Sequence, residues 1–236
     1  MLYRQVKRQL ITDIQTGLAA PGAALPSEAE LARRFEVSIG TVRRAVDELV
    51  AEHVLIRQQG RGTFVGKLDR ERFMYQFFKI APREGSSEFP DVRLHGFCKS
   101  TASQAEAQAL GLHGKQSVFR IENILFLKDQ PIIHDQIVIA QAMFPGLTRA
   151  QLTARSNTIY GLYQSAFGVT VVEADERVRA ELASAESAQH LRLAAGSPVL
   201  RIERTAYTFD RKPAELRISV VDTRHFDYVS RQRDAA

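Results

Sequence analysis

The feature that most constrains the fold is an internal repeat. SQAEAQALGL at 103–112 and SAESAQHLRL at 184–193 lie 81 residues apart, with serine, alanine, glutamine and two leucines in register. The similarity continues through VFRIEN at 118–123 against VLRIER at 199–204, and KDQP at 128–131 against DRKP at 210–213. Each copy reads as helix, strand, turn, strand. Two distant, diverged copies predict a pseudo-two-fold α+β domain and not a solenoid, whose repeats would adjoin.

Strand alternation inside the repeat selects residues. Asn123 shares a face with Phe119, Ile121 and Leu125, and Arg204 takes the same place beside Leu200 and Ile202. On the returning strands Asp135 lies among Ile133, Ile137 and Ile139, while Glu215, Arg217 and Ser219 share the equivalent face. A polar group on an apolar face must be satisfied by the protein or by a ligand. Asn123, Asp135, Arg204, Glu215 and Arg217 are therefore candidates for holding a small polar molecule. The same residues can instead form a closed network, Asp135 with Arg217 and Glu215 with Arg204. Ser86 and Ser87, after Gly85, can add donors from a loop, and Tyr160 or Tyr163 can close a pocket. Those tyrosines lie three apart on a helical segment, so at least one is expected to be core packing.

Before residue 66 the grammar changes to short helices and a hairpin. Val6, Leu10 and Ile14 mark a first helix that ends near Gly17. Ser27 and Glu30 have capping-box spacing for a second helix, with Leu31 and Phe35 inward and Arg33 and Arg34 outward. After a turn at Glu36-Val37, Ser38 caps a third helix whose stripe is Val42, Ala45, Val46 and Leu49. Its first turn carries Ile39, Gly40 and Thr41, backed by Arg43 and Arg44. Strand-like segments then flank Gly60, Arg61 and Gly62, with Thr63 opening the second. Helix-turn-helix plus basic hairpin is a winged helix. A recognition helix meets base edges with its N-terminal residues, and a wing arginine suits the minor groove or the backbone beside it. Ser27, Arg33, Arg34, Ser38, Ile39, Gly40, Thr41, Arg43, Arg44, Arg61, Gly62 and Thr63 are the expected DNA contacts.

Composition agrees. The 236 residues carry a net charge of +5, compatible with a polyanionic partner. Between His53 and Leu68 the basic residues Arg57, Arg61 and Lys67 meet no acid. Cys98 is a single cysteine, which rules out an internal disulfide and suits a reducing cytoplasm. The six histidines are scattered without ligand spacing, so no metal and no cofactor are expected. No segment is long enough to span a bilayer, and the amphipathic N-terminus lacks a signal peptide's apolar run; a cytoplasmic chain without a membrane partner is expected. No nucleophile motif is visible. His134 and Asp135 face opposite sides of a strand, so an enzyme is not expected.

The run LPSEAELARRFEVSIGTVRRAVDELVAEHVLIRQQGRGTFV resembles the DNA-binding domain of the GntR family of bacterial transcription regulators, across residues 2 to 66. Many members carry an arginine at the places of Ala29 and of Ile39, where it helps read a G·C-containing core. The departure implies a different operator, with Ile39 favouring a T-containing step. The second half resembles the UTRA effector domain of the HutC branch, over roughly residues 73 to 229. GKQSVFRIEN, KDQP, NTIYGLY, GSPVLRIERTAY and KPAEL carry that likeness. The resemblance implies a chorismate-lyase-like fold that binds a metabolite without turning it over. Sugar-phosphate-sensing members have arginines at the places of Asn123 and Leu125 and serine at that of Arg217, so a sugar phosphate is disfavoured. Asp135 and Glu215 match positions that contact ligand in relatives. With Arg204 and Arg217 beside them, the favoured ligand carries a carboxylate and a donor group. The alternatives are a sugar phosphate or phosphonate, and more remotely a lyase-like enzyme.

The expected architecture is α+β. It comprises a winged helix-turn-helix domain at 1–66, a linker at 67–72, and a UTRA-like effector-binding and dimerisation domain with an antiparallel sheet at 73–236. The expected function is a repressor that binds a two-fold symmetric double-stranded operator as a homodimer and responds to a small-molecule effector.

Overall fold

The computed structural model describes residues 2–67, 74, 76–84, 88–114, 116–155 and 158–230, the side chain of residue 210 excepted. The expected linker therefore lies largely outside the described residues, as do Ser86 and Ser87.

The N-terminal head follows from local signals. Helix α1 (Leu2–Gln15) buries Tyr3, Val6, Leu10, Ile11 and Ile14 along one stripe. Helix α2 (Glu28–Phe35) starts at a complete capping box between Ser27 and Glu30 and stops where Glu36 turns left-handed at φ 53°. Helix α3 (Ile39–Ala51) begins at Ser38, whose hydroxyl accepts from the Thr41 amide at 3.2 Å. Its buried residues are Val42, Ala45, Val46 and Leu49. Strands β1 (Leu55–Gln58) and β2 (Gly62–Val65) pair antiparallel. The turn between them needs Gly60 at φ 70° and Gly62 at φ 109°, conformations that a side chain would strain. Ala24 bridges to Phe64 and widens the wing.

In the second domain, six antiparallel strands run in the order β4-β5-β6-β9-β8-β7. These are β4 (Asp91–Thr101), β5 (Ser117–Leu127), β6 (Gln130–Ala140), β7 (Glu173–Leu182), β8 (Pro198–Tyr207) and β9 (Pro213–Asp222). The two repeats mirror each other about the β6–β9 pair. Each copy opens with an edge strand, β4 or β7, that the reading of helix, strand, turn, strand leaves out. Helices α4 (Gln104–Ala109) and α7 (Ala185–Leu191) cover one face, where Leu110, Val118, Val138 and Leu216 pack together, as do Ala188, Leu191, Val199 and Val220.

On the other face, α5 (Arg149–Ala154) and α6 (Ile159–Phe167) seal the largest core. It gathers Phe119, Ile121, Ile137, Ile139, Phe144, Leu152, Tyr160 and Tyr163. Full burial of each large apolar side chain contributes about 1.5–3 kcal/mol, so this face sets the register of the sheet. A small pair, β3 (Ile80–Pro82) with β10 (Phe226–Tyr228), caps a third cluster containing Leu125, Ile133 and Ile202. The head is not isolated. Phe209, in the turn between β8 and β9, is buried in the same cluster as Val6, Leu10 and Val54.

Candidate functional site

The recognition tip is built by α3's N-terminus. Ile39 stands 46% exposed, unusual for an isoleucine, and Gly40 beside it is also exposed. The Ser38 and Thr41 hydroxyls lie 2.9 Å apart at the same tip. Arg33, Arg34, Arg43, Arg44 and Arg61 are all exposed. Three of them have work inside the domain. Arg34 pairs with Asp13 at 2.8 Å, Arg43 with Glu28 at 2.9 Å, and Arg44 stacks over Tyr3 at 4.1 Å. Ser27 closes the α2 cap, which orders the α2–α3 turn. Arg61 crowns the wing between its two glycines, with Thr63 half-buried behind it.

A cavity of about 310 Å³ opens on the α5–α6 face of the sheet. Asn123, Asp135 and Arg217 reach it from β5, β6 and β9. Pairing explains their meeting: Asn123 is opposite Asp135, and Asp135 is opposite Ser219, two residues from Arg217. Asp135 is held from both sides, taking Ser219 Oγ at 2.5 Å and Arg217 Nη1 at 3.0 Å. Asn123 is 2% exposed, and its side-chain oxygen has no hydrogen-bond partner among the described residues. That orphan acceptor asks for a donor.

Arg155 also lines the cavity, and nothing in the sequence marks it. It follows α5 in a loop with no periodicity. Its guanidinium donates to the Leu152 carbonyl and, among the described residues, faces no carboxylate within ion-pair distance. Burial lowers its pKa, and repulsion from Arg217 adds to that, against the pull of Tyr163 and Asp135.

Tyr160, Tyr163, Glu215 and Arg204 do not line the cavity. Fully buried Glu215 accepts from Tyr160 Oη and Tyr163 Oη, each at 2.9 Å, and from Arg217 at 2.9 and 3.1 Å. Burial and the Glu215 charge push both tyrosine pKa values up, which keeps them donors. The expected pairing of Glu215 with Arg204 is corrected: Arg204 binds Glu176 at 2.5 Å and the Phe77 carbonyl. Glu176 lies on β7, the strand the sequence reading lacked. The pairing of Asp135 with Arg217 is present at 3.0 Å. The remaining candidates, Ser86 and Ser87, lie outside the described residues.

A winged helix with an exposed recognition tip, joined to a pseudo-symmetric α+β domain with a polar cavity, defines a two-domain DNA-binding regulator. Residues 2–65 match the gntR family of bacterial regulatory proteins, and residues 88–227 match the UTRA domain. The chain belongs to the GntR family, in its UTRA-bearing branch.

The repressor NagR of Bacillus subtilis is 30% identical over 209 residues, covering 87% of this chain and 84% of that protein. The Escherichia coli K12 protein named "Probable fructoselysine utilization operon transcriptional repressor" is 28% identical over 225 residues, 92% of this chain and 88% of its own. Among solved structures, the ligand-binding domain of a Bordetella bronchiseptica protein assigned to the GntR-family regulators superimposes with a TM-score of 0.65 at 33% identity. It covers 67% of this chain and 99% of its own. PhnF from Mycobacterium smegmatis shares the fold over 97% of this chain and 99% of its own, with a TM-score of 0.56 and 21% identity. Among the described residues no helix is long and apolar enough to cross a membrane.

Proposed function

We propose that this protein is a transcriptional repressor that binds a two-fold symmetric operator as a homodimer and is released by a carboxylate-bearing metabolite. The observation that carries the ligand reading is the pairing of the orphan Asn123 oxygen with Arg155 across one cavity. Asp135 and Glu215 both hold Arg217, whereas Arg155 has no carboxylate within ion-pair distance among the described residues, so its guanidinium is the one that faces the cavity without a direct anionic partner. One free guanidinium matches a monoanionic carboxylate, which it can hold with two parallel hydrogen bonds. A phosphate dianion would call for a second. Asn123 then takes a hydroxyl or ammonium donor from the same molecule. The cavity volume sits at the small end of ligand sites, typically about 300–1,000 Å³. Asp135 has both oxygens engaged by Ser219 and Arg217, which supports binding without catalysis.

The route to DNA runs through β9. Arg217 touches the cavity, and Phe209, in the turn that leads into β9, sits in the core of the head. A ligand that shifts Arg217 pulls on the turn that anchors the head. Coupling of about 1–3 kcal/mol between such sites changes operator affinity about 5–150-fold.

Operators selected from random DNA test the reading, with affinity measured by fluorescence anisotropy. Counting Arg33, Arg43 and Arg61 from two heads as about six phosphate contacts, affinity should fall about 10³-fold between 50 and 200 mM salt. A salt-independent affinity, or a complex with one chain per operator, contradicts it.

A further inference from the structure

On the α4–α7 face of the sheet, opposite the cavity, the fold gathers histidines that the sequence scatters. β4 and β5 pair in register except between Leu94 and Gly96, where His95 is the extra residue of a bulge. A bulge re-aims a side chain out of the normal alternation. His95 accordingly lies against His190 of α7, ring centroids 4.4 Å apart. Gly96 stands directly opposite Glu122, and a Cβ there would meet the Glu122 carboxylate at 2.8 Å. Glycine at this position gives the carboxylate its room.

His190 Nε2 is 3.4 Å from Glu122 Oε1. One ligand atom from each of His95, Glu122 and His190 falls within 4.8 Å of the others. Behind them, buried His134 places Nε2 2.8 Å from the same Glu122 oxygen and Nδ1 3.2 Å from Ser187 Oγ. Ser184 donates to that Ser187 oxygen at 3.2 Å. With Ser187 donating onward to Nδ1, His134 Nε2–H donates to Glu122 and fixes its orientation. Supporting contacts of this kind aim the ligands of metal sites.

We propose that His95, Glu122 and His190 bind a divalent transition-metal ion of the Zn²⁺ type, with the fourth position left to water or to an exogenous ligand. Two imidazoles and a carboxylate are a ligand set Zn²⁺ accepts, with bonds of about 2.0–2.2 Å. Tetrahedral bonds of that length put ligand atoms about 3.3–3.5 Å apart. Glu122 and His190 already stand at that separation. The remaining contraction falls to His95, exposed on an edge strand and free to move. The site bridges the two repeats, since β4 and β5 come from the first and α7 from the second. It has no counterpart across the pseudo-two-fold: Glu203 stands at the place of Glu122, but Ala109 at that of His190. An ion here would clamp α7 to the edge of the sheet.

Titration of the chelator-stripped full-length protein with Zn²⁺, followed by calorimetry, tests the assignment. Co²⁺ provides the spectroscopic probe. The expected result is one equivalent per chain, a raised melting temperature, and the visible d–d bands of four-coordinate Co²⁺. H95A, at an exposed position, should keep the parent's circular dichroism and weaken Zn²⁺ at least tenfold; E122Q should do the same with its shape preserved. No saturable binding by the parent, or equal binding by H95A and E122Q, overturns the proposal. The readout needs neither operator nor effector, so it stands apart from the regulatory reading.

Discussion

Glu215→Gln exchanges one carboxylate oxygen for an NH₂ group in a fully enclosed polar cluster. Glu215 is 0% exposed and accepts four hydrogen bonds, from Tyr160 and Arg217 Nε on one oxygen and from Tyr163 and Arg217 Nη2 on the other. Whichever way the new amide points, its NH₂ meets one tyrosine hydroxyl and one guanidinium N–H. The hydroxyl can rotate and accept; the guanidinium cannot. A charge-assisted bond of about 1.5–3 kcal/mol becomes a donor–donor contact. Arg217 is also left with Asp135 as its one remaining anion. Breaking a buried ion pair from one side costs about 3–5 kcal/mol, and the retained Asp135 places this case near 3–4. At about 2–4 °C per kcal/mol for a chain of this size, the melting temperature should drop by about 6–16 °C. Urea unfolding followed by circular dichroism gives the free energy directly. Tyr163→Phe, which removes one hydroxyl and no charge, should cost only about 1–2 kcal/mol. A Glu215→Gln loss below about 1 kcal/mol, or a larger loss for Tyr163→Phe, would refute the claim that Glu215 orders Arg217.

Three further outcomes are expected. Phe209→Ala empties an aromatic site in the core of the head, a class of change that costs about 3–5 kcal/mol; calorimetry should resolve two unfolding transitions where the parent shows one. Burial alone would raise the Glu176 pKa, but Arg204, Lys79 and Tyr228 outweigh it and hold it at about 2. A depressed carboxylate stabilises the fold above its unfolded value and loses that contribution as pH falls from about 4.5 to about 2, here about 2 kcal/mol after allowance for solvent screening. Acid unfolding of Glu176→Gln should be correspondingly flatter across that window. Ile39→Arg should change the consensus selected from random DNA at the step beneath α3's tip, and an unchanged consensus would exclude a base contact by Ile39.

What the sequence discloses here divides along contact range. The head is legible because each device is local: Ser27 with Glu30, the stripe Val42-Ala45-Val46-Leu49, and the glycines beside Arg61. The faces of β5, β6, β8 and β9 are legible because the period of a strand is two, and the repeat supplies a second reading of each. The edge strands are not. β4 and β7 alternate between exposed and half-buried positions, so their apolar signal is weak. With β7 hidden, Glu176 is invisible as the partner of Arg204, and the pseudo-symmetry of the strand faces points to Glu215 instead. Arg155 enters the cavity from a loop whose position is fixed by tertiary packing alone. His95, Glu122, His134 and His190 span 96 residues and meet only through a bulge and a helix crossing from the other repeat.

The most direct test of the account is a thermal-shift screen of carboxylates, amino-acid breakdown products, sugar phosphates and phosphonates against the parent, Arg155→Ala and Asn123→Ala. Each hit is then added to the operator complex. Ligand at a hundredfold excess over its Kd stabilises the folded state by about 2.7 kcal/mol, a shift well above noise. A carboxylate should raise the parent's melting temperature, leave both variants unmoved, and release the parent from its operator. A sugar phosphate acting equally on parent and Arg155→Ala, or a carboxylate that binds without altering operator affinity, would contradict it.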